Sequence, residues 1–193
     1  MVTIANRIVE KRKPKPRYSI LQELDKRFSP RHFLNEQIST VVMNKILEAA
    51  RWVPSGHNSQ PWYYYWTQSG SPTFNKLLTT LPNFNEYAKT AAVLVVACYV
   101  KRGKKDENEF VIYDLGASVL AMILQAQHLG YYARQMGLFD EENVKRIIHA
   151  KKIEQPYVVI ALGKLGDYTK ATENIIKRDL TPMPRKSNIA KQI

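Results

Sequence analysis

The sequence predicts a β-sheet covered by helices, of α/β or α+β class. Residues 91–100 and 157–162 are continuous apolar runs rich in valine, the pattern of buried strands. Around them, apolar residues recur at helical spacing, most clearly over 39–53 and 110–129. The two patterns alternate along the chain, and each needs the other to bury its apolar surface. With 193 residues, 45% hydrophobic and 24% charged, the chain suits one globular domain with a sizeable core.

Residues 1–20 read as a basic N-terminal arm and residues 21–193 as the folded domain. Ser19-Ile20-Leu21-Gln22 has the form of a capping box and opens a short helix to about Arg27. Pro30 disfavours helix at Ser29, so the chain runs extended there. Ser39 caps a helix whose apolar face is Val42, Met43, Ile46, Leu47 and Ala50, and Pro54 disfavours its continuation beyond Val53. Residues 62–67 are aromatic-rich and end at Ser69-Gly70-Ser71-Pro72, a strand and its turn. Phe74, Leu77, Leu78 and Leu81 suggest a short helix. Residues 101–109 form a charged loop before the longest helical pattern, which Gly130 stops. Asp140 caps a helix to about Ile148. The tail from Gly163 onward is polar and reads as loose.

The net charge is +12, and Lys11, Arg12, Lys13, Lys15 and Arg17 concentrate much of it in the arm. A solvated arm is the first reading of such a run; attraction of an anionic substrate or cofactor is the second. No nucleic-acid motif accompanies the charge, so no nucleic-acid partner is expected. Cys98 stands alone and cannot form an internal disulfide, which favours a reducing, cytoplasmic setting. No membrane span is expected, since the run over 91–100 is too short, and the first ten residues lack a secretion signal's apolar core.

Two segments carry candidate chemistry. Arg27, Ser29 and Arg31 are spaced by two, so in an extended segment they share one face. Two guanidinium groups flanking a hydroxyl suit a phosphate. The loop Pro54-Ser55-Gly56-His57-Asn58-Ser59-Gln60-Pro61-Trp62 is rich in amides and hydroxyls and pinned by proline at both ends. It reads equally well as a ligand cradle or as a turn whose side chains satisfy their own backbone. The aromatics from Trp62 to Trp66 read as core plus rim. His32, His128 and His149 lack metal-ligand spacing, and no nucleophile–base pair is apparent.

Arg27-Phe28-Ser29-Pro30-Arg31-His32-Phe33 resembles the N-terminal flavin motif of the nitroreductase family. Glu48-Ala49-Ala50-Arg51-Trp52-Val53 and the polar loop after it resemble that family's second motif closely. Tyr113-Asp114-Leu115-Gly116-Ala117, then Leu124-Gln125-Ala126, is similar to its central helix. Gln135-Met136-Gly137-Leu138-Phe139-Asp140 is similar to the segment beside the flavin ring, and residues 156–163 to its last core strand.

The resemblance implies an α+β nitroreductase-like fold: a central, mostly antiparallel sheet covered by helices, with extended terminal arms. It implies a homodimer with one flavin mononucleotide (FMN) in each of two shared sites. Arg27, Phe28, Ser29 and Arg31 would border the phosphate, ribityl chain and pyrimidine edge. Arg31 is the cation expected to stabilise negative charge on the reduced ring. Pro54, Ser55, Gly56, Asn58 and Gln60 belong to the loop that a partner chain would supply. Asn85 would contact the pyrimidine ring, and Gln135, with the backbone near Met136 and Gly137, would face the reactive flavin nitrogen. Arg185 and Lys186 would close on the phosphate. The implied activity is hydride transfer from NAD(P)H to FMN, then reduction of a small nitroaromatic or quinone acceptor by a ping-pong mechanism. Dehalogenation, flavin fragmentation and non-enzymatic binding by a basic surface are the alternatives. Phe28 and Leu138 depart from the family pattern, at positions where relatives carry a polar residue and a glycine.

Overall fold

The computed structural model describes residues 16–101, 110–187 and 189–192. The expectations for Lys11, Arg12, Lys13 and Lys15, and for most of the charged loop after Lys101, lie outside these residues.

Five strands form one antiparallel sheet. β1 is Phe33–Leu34, β2 Trp62–Gln68, β3 Val93–Val100, β4 Tyr132–Met136 and β5 Glu154–Leu165. The longest strand, β5, is the hub: β3 lies along one flank, with β2 beyond it. On the other flank β4 pairs from Met136↔Val159 to Tyr132↔Gly163, and β1 continues with Leu34↔Lys164 and Phe33↔Leu165. Pro156 sits where the β3–β5 register shifts and beyond the reach of β4, so its missing N–H costs no ladder bond on that flank.

The helices are α1 Gln22–Lys26, α2 Thr40–Arg51, α3 Pro72–Leu78, α4 Phe110–His128, α5 Glu141–Ile147 and α6 Glu173–Leu180. They cover both faces of the sheet. Val93, Val95 and Ala97 share a core with Met43 and Ile46 of α2 and with Leu115, Val119, Met122 and Ile123 of α4. Leu94, Val96 and Cys98 point the opposite way, into a core with Phe74, Leu77, Tyr87 and Val144. This period-two division explains the unbroken apolar run: both faces of β3 are buried, although the sheet is antiparallel. Each fully buried Val or Leu there contributes roughly 1.5–3 kcal/mol.

The same alternation settles the aromatic strand. Trp62, Tyr64 and Trp66 pack on the first core and Tyr65 on the second, while Tyr63 stays at the surface. By length and composition α4 is the one described helix that could cross a membrane; here its apolar side packs on β3 and α2.

The caps behave as local chemistry requires. The hydroxyls of Ser39 and Ser71, and the carboxylate of Asp140, accept from the backbone three residues on, at 3.3, 3.0 and 3.0 Å. Gly130 ends α4 at φ +82°, a conformation other residues adopt only with strain.

Several expectations need correction. The capping box at Ser19 does not form: α1 begins at Gln22, its N-cap is Leu21, and no side chain caps it. The tail is not loose throughout, because Thr172 caps α6 and Asp179 of that helix is fully buried. β1, β4 and the 3-10 helix Asn83–Thr90 were not anticipated.

β5 leaves the sheet at Gly166, whose N–H donates to the His32 carbonyl at 3.1 Å. A Cβ there would lie 2.9 Å from the Phe33 carbonyl carbon and oxygen. Gly166→Ala is therefore expected to displace 32–33 and lose about 1–3 kcal/mol of stability, measurable by urea unfolding.

Candidate functional site

A cavity of about 850 Å³ opens between α1, the Arg27–Arg31 segment, β4 and the two terminal segments. It gathers Arg27, Phe28, Ser29, Arg31, Gln135, Arg185 and Lys186 from three separate parts of the sequence. Pro30 is buried and holds the first of these segments extended. Phe28 packs edge-on against Tyr132 at 5.3 Å between ring centres, so an apolar contact to β4 replaces the polar residue of the family pattern.

Among the described residues seven cations line the cavity: Arg17, Lys26, Arg27, Arg31, Arg134, Arg185 and Lys186. Among the described residues Asp25 is the only carboxylate in the lining. The Arg27 guanidinium donates to the Ser29 hydroxyl at 3.4 Å. Its pKa is held below the ordinary arginine value, first by burial and then by the nearby charge of Arg185. Two guanidinium groups close enough to repel one another, with a hydroxyl beside them, favour an incoming anion.

Arg31 is committed differently from the expectation. Its backbone N–H donates to Asp179 Oδ2 at 2.7 Å and its guanidinium to Oδ1 at 2.8 Å, while the Tyr168 hydroxyl donates to the same carboxylate at 2.5 Å. Asp179 is completely buried, and Arg31 Nε is buried with no hydrogen-bond partner among the described residues. Arg31 therefore borders the cavity as half of an ion pair that fastens α6 to the N-terminal motif. Its charge is offset by a carboxylate, which the expectation of a cation for the reduced ring did not include.

Arg134 also lines the cavity, and sequence reasoning missed it. Its Nε donates to the Tyr87 hydroxyl at 2.8 Å, its Nη1 donates to the Ser29 carbonyl at 2.7 Å, and it stacks over the Tyr87 ring. An arginine within a short strand was the available signal. Tyr87 in turn donates to Asn85 Oδ1 at 2.7 Å. Asn85 is buried behind this chain and is not among the residues lining the cavity.

Gln135 lies between two spaces. It lines the large cavity and also a second one, of about 410 Å³, bounded by Leu115, Gly116, Val119, Gly137, Tyr157 and Val158. Met136 buries its side chain in the core, and Gly137 after it lines the second space.

The loop of Pro54, Ser55, Gly56, Asn58 and Gln60 lies outside the large cavity of its own chain. Its backbone is constrained: His57, Asn58 and Gln60 all have positive φ, near 50°. The Ser55 hydroxyl accepts from the Gln60 N–H at 2.9 Å, and Asp114 of α4 accepts from the Gly56 N–H at 3.1 Å. Ser55 thus satisfies the loop's own backbone, while the strain of about 1–3 kcal/mol at each such position requires support from neighbours.

Against known proteins, the nitroreductase family model matches residues 24–73 and 72–164. The chain belongs to the nitroreductase family. A 15.4 kDa protein of Mycolicibacterium smegmatis with no characterised function is 32% identical over 113 residues, 58% of this chain and 76% of that protein. A relative in Archaeoglobus fulgidus, named as a candidate NADH dehydrogenase/NAD(P)H nitroreductase, is 27% identical over 79% of this chain and 87% of its own. A solved structure described as an oxidoreductase containing FMN superposes with TM-score 0.83 at 23% identity, covering 100% of this chain and 97% of that one. The nitroreductase family protein of Clostridium novyi NT superposes at 0.69, with 19% identity, over 78% and 87%. The predicted α+β nitroreductase fold is thus the observed one.

Proposed function

We propose that this nitroreductase-family protein takes a hydride from NAD(P)H and reduces nitroaromatic or quinone-type acceptors by a ping-pong mechanism. As a family member it is a flavin-dependent NAD(P)H oxidoreductase with FMN as its cofactor. The acceptor class and the ping-pong order are what this reading adds. The observation that carries it is the meeting of Arg27, Ser29 and Arg185 in one cavity, with two guanidinium groups in mutual repulsion.

These residues fit FMN. Arg27 and Arg185, with Lys186, would hold its phosphate through charge-assisted bonds. Arg134 fixes the Ser29 carbonyl and keeps positive charge in the cavity wall. Gln135, which lines both cavities, and the backbone at Met136 and Gly137 would border the ring. FMN, when bound, supplies the ring that accepts a hydride and passes on its electrons. No histidine lines the large cavity, so this reading takes protons from solvent rather than from a dedicated side chain.

The protein works as a homodimer in this reading. Phe110, Tyr113 and Leu120 of α4 expose apolar surface on one side of that helix, and Trp52, just before the polar loop, is also exposed. A second copy covering this surface would bring its own constrained loop to the site.

The test is the visible spectrum of the purified protein, reconstituted with FMN and titrated anaerobically with NADPH and then NADH. Flavin bands that bleach, and recover on adding a quinone or nitroaromatic, are the expected result. Bands that neither nucleotide bleaches would overturn the reading.

A further inference from the structure

The large cavity carries more positive charge than one phosphate can use. Among the described residues its seven cations are opposed by Asp25 in the lining and by Asp179 on Arg31, a net charge of about five. A phosphate monoester brings about −1.5 to −2 charges at neutral pH. A flavin phosphate held by Arg27, Arg185 and Lys186 therefore leaves a surplus of about three.

Part of that surplus is placed at the rim. The Arg17 guanidinium donates to the Ser187 carbonyl at 3.1 Å, tying the N-terminal segment to the C-terminal one across the cavity edge. Lys26, at the end of α1, lines the same cavity and is exposed. Like charges held in a concave site raise the local concentration of anions and favour a multiply charged ligand.

We propose that Arg17 and Lys26 form a second phosphate subsite, which receives the 2′-phosphate of NADPH and selects it over NADH. The inference rests on the oxidoreductase reading, which is what brings a nicotinamide nucleotide to this cavity. The 2′-phosphate is the one dianion that NADPH has and NADH lacks, and basic side chains are the usual means of telling the two apart. The nicotinamide must meet the flavin ring, so the adenosine end lies outward, where exposed cations can reach it.

The test uses the full chain with FMN bound. Adenosine 2′,5′-bisphosphate, its 3′,5′ isomer and AMP are titrated by calorimetry. The 2′,5′ compound is expected to bind about tenfold tighter than AMP, the effect of one or two partly exposed charge pairs, and tighter than its equally charged isomer. Arg17→Ala/Lys26→Ala should remove both differences and lower the NADPH-to-NADH ratio of kcat/KM by about tenfold. Equal binding of the two bisphosphates would mean bulk charge rather than a subsite and would overturn the proposal. So would equal use of NADH and NADPH, the result if these cations serve only the pyrophosphate that both nucleotides share. The flavin spectrum separates the failures: a yellow protein without the preference refutes the subsite alone, and a chain that takes up no FMN refutes both readings.

Discussion

An Asp179→Ala variant is expected to lose about 3–5 kcal/mol of folding stability, the cost of breaking a buried ion pair from one side. For a chain of this size that lowers the thermal midpoint by roughly 10 °C. Asp179 is completely buried and accepts from the Arg31 backbone, the Arg31 guanidinium and the Tyr168 hydroxyl. Removing it takes the carboxylate away from the nearly buried guanidinium, the Arg31 N–H and the Tyr168 hydroxyl, and the cost of about 1–3 kcal/mol for a buried donor that loses its partner is part of that loss. Replacing both partners should cost less than replacing one, since no charge is then left unpaired. Arg31→Met/Asp179→Leu is therefore expected to be more stable than Asp179→Leu alone, as measured by urea unfolding in a double-mutant cycle. A double variant no better than the single one would show that Asp179 acts through the Arg31 N–H and Tyr168 rather than through the ion pair.

The same residue shows why the sequence revealed the core and not the tail. β3 and β5 were legible because helices cover both their faces, which forces an unbroken apolar run. α2 and α4 were legible because their buried sides repeat at helical spacing. The buried residue of α6 is an aspartate and Ile175 is only partly buried against the core, so its short amphipathic pattern did not stand out as a core helix. β4 was hidden for a related reason. Arg134 and Gln135 break its apolar pattern because they line the cavity, so the strand's function obscured its structure. β1 is two residues long, too short for any period, and is held by its pairing with Lys164 and Leu165.

The candidate site followed the same rule. Arg27, Ser29 and Arg31 all line one cavity on the extended segment at Pro30, and Phe28 between them lines it too, so alternation alone does not define that face. It could not show that Arg31 is paired, since its partner lies 148 residues away. Nor could spacing place Arg134 across Ser29. The loop from Pro54 to Gln60 read equally as cradle and as turn, and Ser55 does serve the turn.

Arg27→Ala is expected to weaken FMN binding by about 10- to 100-fold, the loss of one charge-assisted phosphate contact. Its effect on the protein without FMN should be the reverse of an ordinary buried substitution. The Arg27 pKa is lowered by burial and by Arg185, so its charged form is disfavoured in the folded protein. Removing the side chain relieves that cost, and the thermal midpoint of the FMN-free variant should hold or rise. The midpoint gained on adding FMN should shrink in step with the weaker affinity, because ligand stabilisation follows binding to the native state. Riboflavin, which lacks the phosphate, supplies the decisive comparison. If Arg27 holds the phosphate, the FMN-to-riboflavin affinity ratio falls with the substitution while riboflavin binding changes little. If both flavins weaken equally, Arg27 shapes the cavity wall, and the phosphate belongs to Arg185 and Lys186 instead.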